Sequence, residues 1–204
     1  MSESTASRSL ALALADEQRM LQEGAAFLDE KCLLLASTML REMQAYRRVR
    51  AQVTAQRQIA CAALGAALAE HGLGGLQVMP AGALELRVAV PQRGLLGMPL
   101  VGDPQLALRA LPPPFEPVRD SAAARACIDA WRALVAPLAQ LAAHSTNLML
   151  LYAEYRRTVR RVRALQNVLL PEAARALREI ESALDEFEQD EAAMMRRAAL
   201  SAVR

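Results

Sequence analysis

Much of what marks an enzyme core is scarce in this sequence. Aromatic residues make up only 3% of the 204, too few for a thick interior in which large rings supply the buried area. Lysine occurs once, at Lys31, and histidine twice, at His71 and His144. No glycine loop ends in Lys followed by Ser or Thr, so a phosphate cradle is absent. HGLGGLQV (71–78) and RGLLGMPLVG (93–102) therefore read as turns. The two histidines lie on opposite arms with no Cys or carboxylate cluster near them in sequence, and neither a metal site nor a triad is expected. Cysteine is limited to Cys32, Cys61 and Cys127. That odd, widely spaced set gives no disulfide framework or zinc spacing and reads as small core hydrophobes in a reducing compartment. Uninterrupted apolar runs fall short of the ~20 residues of a membrane span. The N-terminal MSESTASRSLALALADEQ has acids on both sides of a short apolar segment, unlike a signal peptide. The expectation is a soluble cytoplasmic chain with no catalytic residues, no cofactor and no metal.

Proline and glycine are missing from most of the chain, and their placement divides it. Eight of the ten prolines fall between 80 and 117, and seven of the nine glycines between 72 and 102. Outside that stretch only Gly24, Gly65, Pro137 and Pro171 interrupt the sequence. The pattern predicts one elongated unit: a helical arm over 8–71, a β-hairpin and Pro-rich connector over 72–119, and a second helical arm over 120–204. In the middle, ALELRVAV places Leu84, Leu86, Val88 and Val90 on one side of a strand. Pro91 and Gly94 suggest a turn, LLGMPLVG a returning strand, and 103–117 an extended connector. Asp120 or Ser121 would cap the second arm.

What is abundant is alanine, 42 residues of 204, the best helix former and one that buries little. Leu14, Leu21, Leu28 and Leu35 recur at heptad spacing, with Leu10, Ala25, Cys32 and Met39 at offset positions. Met43, Tyr46, Val49 and Val53 continue the alternation. On the second arm Leu141, Leu148, Tyr155, Val162 and Leu169 form a series, with Tyr152 and Val159 as its companions. Beyond Pro171 the pattern is expected to resume in phase through Leu177, Ile180, Leu184 and Phe187. Sustained heptads specify a left-handed coiled coil. The fold class is thus mainly α: a long antiparallel two-helix coiled coil with a short β-hairpin middle. A 60-residue arm would be ~90 Å long, a rod and not a compact bundle.

Net charge is only +2, but charge is banded. Arg156, Arg157, Arg160, Arg161 and Arg163 crowd the second arm, and Arg47, Arg48 and Arg50 echo them on the first. Seven acids follow between 179 and 191 with no base among them. Without interleaved aromatics the Arg band is a poor nucleic-acid site. A collar facing an acidic protein surface fits better, because guanidinium pairs carboxylate through two parallel bonds. Pro171 removes a helical hydrogen bond and crowds the carbonyl of Asn167, so a kink is expected in a helix that continues.

At these residues the sequence resembles a family. RRVRALQNVLLP followed by ALREIESALDEFEQDE is similar to the C-terminal signature of the D subunits of V-type and archaeal-type rotary ATPases, through Arg160, Arg161, Val162, Ala164, Leu165, Pro171, Ile180, Leu184, Asp185 and Glu186. Leu21, Gly24, Leu28 and Lys31 resemble its first-arm segment. Arg163 stands where the family usually has Asn, and Gln166 where it has Glu. The resemblance implies a non-catalytic central rotor shaft that couples ATP hydrolysis or synthesis to proton or sodium translocation. Its implied partners are the A and B subunits of the catalytic and regulatory ring, a small rotor protein (the F subunit) and a membrane-side cap (the C/d subunit). Nucleic acid and direct membrane insertion are not implied. It also implies a cytoplasmic complex peripheral to the inner membrane. A coiled-coil scaffold or adaptor, such as a secretion-apparatus stalk protein, shares the heptads without requiring the Arg–Pro–acid order.

Overall fold

The computed structural model describes residues 7–79, 84–111 and 121–202. Helix α1 spans Arg8–Gln77. It starts where the Ser7 hydroxyl accepts the amide of Leu10 at 3.2 Å, satisfying one of the free amides of the first turn. It leaves helical geometry at Gly72, whose φ of 67° and ψ of 168° suit a residue without Cβ. Helix α2, Ala122–Ala164, runs into a π-helical turn at Leu165–Leu169 and then into α3, Leu170–Ala202. Ser121 caps α2, accepting the amide of Ala124 at 3.1 Å. Asp120, the alternative cap, lies outside the described residues, as does the connector over 112–120.

Burial along α1 follows steps of three and four residues without a break. Ser7, Ala11, Leu14, Gln18, Leu21, Ala25, Leu28, Cys32 and Leu35 are all buried or half-buried, and the series continues through Met39, Glu42, Tyr46, Val49, Val53, Gln56, Ala60, Ala63 and Ala67. Such an alternation is the seam of a two-helix coiled coil.

Two compact units are formed, one by residues 1–34 with 155–204 and one by 35–154. In the first, Arg8 donates to Glu188 at 2.5 Å and Gln166 donates to Asp29 at 2.9 Å. Ascending positions on α1 meet descending positions on the other helix, so the pairing is antiparallel. In the second, Glu42 meets His144 and His71 meets Ser121, which is antiparallel again. Both long helical paths contain a window apolar enough to cross a membrane, contrary to the expectation from uninterrupted runs. Alanine raises the apolar content of those windows while adding little buried surface.

Between α1 and α2 lie four strands: β1 (Leu84–Ala89), β2 (Gln92–Leu95), β3 (Met98–Val101) and β4 (Gln105–Ala110). β1 pairs antiparallel with β4, and β2 with β3. The reversal occurs at Leu96–Gly97, where both φ angles are positive, and not at Pro91–Gly94 as expected. Gly94 lies within β2, and Pro91 falls at the interruption between β1 and β2 because it has no amide for a ladder. Its carbonyl instead accepts the Gly102 amide at 2.7 Å. A Cβ on Gly102 would stand 3.1 Å from that carbonyl oxygen. Residues 105–110, expected as connector, form β4 because Leu106 and Leu108 alternate to match Val88 and Leu86 across the ladder.

Candidate functional site

The Arg band occupies the outside of the second helix. Arg156, Arg157, Arg160, Arg161 and Arg163 are all exposed or half-exposed, while Thr158 and Val162 between them are 1% and 6% exposed. Two inward residues four apart fix the face, and the arginines project from the remaining surface. Arg156 and Arg157 have interactions within the chain. Chemically the band is a dense set of planar, permanently charged donors suited to carboxylates.

The seam of this helix differs from the heptad series in two ways. First, the inward companions are Leu151 and Thr158, 0% and 1% exposed, not Tyr152, which is 52% exposed. Second, Leu169, expected in the core with Leu141, Leu148, Tyr155 and Val162, is 43% exposed. The π turn explains the second difference. In it the Leu170 amide reaches back five residues to the Leu165 carbonyl, so one extra residue enters the helix and rotates all later positions by about 100°. Leu170 thus takes the half-buried place, and Leu177, Ile180 and Leu184 continue on that face, also half-buried. Phe187 is 69% exposed. The pattern resumes one residue out of phase, not in phase. Pro171 is the second residue of α3. The wider turn before it draws the crowded carbonyl away, and the helix continues through the proline.

Sequence reasoning missed a second site, within residues 35–154. Glu42 sits on the α1 seam with its side chain 8% exposed. One carboxylate oxygen accepts from the Arg93 guanidinium of β2. The other is 2.7 Å from His144 Nδ1 of α2. A turn further along α2, Asn147, 2% exposed, holds the backbone of Val101 in β3 at both ends. Its Oδ1 accepts the Val101 amide at 2.8 Å and its Nδ2 donates to the Val101 carbonyl at 2.9 Å. A cavity of about 150 Å³ lies alongside, bordered by Asp103 and Gln140 as well. His144, read from sequence as having no carboxylate near, thus meets one 102 positions away. The legible signal was Glu42 itself, a carboxylate at a core heptad position. At the far end of the same unit His71 Nε2 lies 2.5 Å from the Ser121 hydroxyl. That hydroxyl also accepts the Ala124 amide as the α2 cap, so the contact ties the end of α1 to the start of α2.

Among the described residues no group of three or more His, Cys, Asp or Glu is placed to hold a metal. The family model for the D subunit of ATP synthase matches residues 11–199 of the chain. No curated protein matches it.

Proposed function

The chain belongs to the family of ATP synthase D subunits, stalk components of rotary ATPases, and from that premise we propose that it is the central rotor shaft of a V/A-type complex. The shaft breaks no bonds. It couples ATP hydrolysis or synthesis in a ring of A and B subunits to proton or sodium translocation, with the small F subunit and a membrane-side cap protein as its other partners. The complex sits on the cytoplasmic face of the membrane, with the shaft peripheral to it.

The unbroken seam of α1 carries this reading. Side chains turn inward at alternating steps of three and four from Ser7 to Ala67, which suits a stiff two-helix element far better than a pocketed enzyme domain. A shaft acts on identical catalytic interfaces by offering each a different face. Each interface is then biased between open and closed by its differential contacts, the only way a partner shifts such an equilibrium. In this reading the guanidiniums of Arg156, Arg157, Arg160, Arg161 and Arg163 form the collar against acidic loops of the ring. The π turn and Pro171 make the second helix uneven along its length.

The test is charge reversal in the assembled enzyme. Substituting Arg160, Arg161 and Arg163 together by Glu should lower the ratio of ions moved to ATP hydrolysed about tenfold, or release the chain from the ring. Unchanged coupling with intact assembly would refute the collar.

A further inference from the structure

The seam of the 35–154 unit is built largely of residues that specify alignment weakly. Ala60, Ala67 and Ala143 are buried there with Leu35, Leu134 and Leu151, and a slip of one heptad again sets apolar residue against apolar residue. Glu42 is different. Displaced by seven residues, it would lose His144 and face the neighbourhood of Pro137 or Leu151, both buried, leaving a carboxylate desolvated without a partner. Arg93 adds a second constraint, because it reaches the same carboxylate from β2. Asn147 adds a third through the backbone of β3.

We propose that Glu42, Arg93, His144 and Asn147 form a latch that sets the axial register of α1 against α2 and makes the β2–β3 tip move with the helices. The β1–β4 half is not part of it: Leu86 and Val88 are 44% and 48% exposed. The latch acts by excluding alternatives. Replacing a buried ionic cluster by apolar residues preserves folding while removing the penalty on wrong alignments. The latch is a property of the chain alone and stands apart from its place in a rotary complex.

The experiment uses the full chain with Cys32→Ala and Cys127→Ala, labelled with spin probes at Cys61 on α1 and at Ala126→Cys on α2, both exposed positions. The parent should give one distance. Glu42→Leu with His144→Leu should retain helicity by circular dichroism and yield a second distance population, since a one-heptad slip translates a helix by about 10 Å. In the same variant the Val101 amide should exchange with solvent at least tenfold faster, while β1–β4 amides keep their parent rates. A single unchanged distance, or unchanged Val101 exchange, overturns the latch. So does a uniform rise in exchange across both strand pairs, which marks general loosening. Should the double variant not fold, Glu42→Met with His144→Phe, apolar replacements closer in volume to the originals, measured in the same way decides the matter by the same criteria.

Discussion

At the scale of single residues, the positions that carry most information are polar groups on an apolar seam. Asn147 satisfies both backbone groups of Val101, so Asn147→Ala strands a buried donor and a buried acceptor. The expected loss is about 1–3 kcal/mol of unfolding free energy, read from the denaturant midpoint. No loss would mean that water replaces the side chain. The cysteines offer an independent check. Burial pushes the Cys32 thiol above its ordinary value, with Asp29 reinforcing the shift and Lys31 opposing it. Cys61 is exposed. Near neutral pH a maleimide should modify Cys61 well before Cys32, and the gap should narrow as the solution is made alkaline. The sign for stability is the same. A raised folded-state value means that the contribution of Cys32 is intact below the ordinary thiol range and declines as pH rises through it. Equal labelling rates at neutral pH would contradict the seam position of Cys32. Cys32 was legible because its partners in the repeat lie seven and fourteen residues away. The Glu42–His144 contact was not, because a pairing across 102 positions depends on the register of two helices, which periodicity alone leaves open.

Elements show where the repeat is legible and where it breaks. The α1 seam can be read from sequence since every step is three or four. On the second helix the series slips by one residue between Leu169 and Leu177, eight apart instead of seven. That spacing was the visible trace of the π turn, and Pro171 supplies its cause. Because the turn already relieves the proline, Pro171→Ala should stabilise the chain by only about 1 kcal/mol, well below the ~3 kcal/mol of an unrelieved helix-interior proline. A gain near the full amount in a thermal melt would mean the π turn gives no relief. The hairpin was legible in kind but not in placement. Its reversal uses Leu96 at φ 51° and Gly97 at φ 80°, and leucine has no affinity for that region. Leu96→Asn should therefore stabilise the chain by about 0.5–1 kcal/mol, since Asn-Gly suits a turn with both φ positive. Destabilisation would indicate that the half-exposed Leu96 side chain has a packing role.

At the scale of the whole molecule, the account is mechanical: two long helices, an uneven second helix, and a band of arginine that lies outside the seam. If the shaft reading holds, variants divide cleanly. Changes on the seam alter stability, whereas changes at Arg160, Arg161 and Arg163 leave the isolated chain as stable as before and alter only what the complex does with ATP; Arg156 and Arg157 are set apart because they also interact within the chain. Pro171→Ala belongs to both groups, and its modest gain in stability should be accompanied by a lower ratio of ions moved to ATP hydrolysed; an unchanged ratio would remove the proline from the coupling mechanism. The most direct test fixes the catalytic ring to a surface and attaches a bead to Cys61. Under ATP the bead should turn persistently in one direction, and the triple Arg-to-Glu chain should stop that turning while the ring still hydrolyses ATP. A bead that stays fixed during sustained hydrolysis by the unaltered complex would contradict the account.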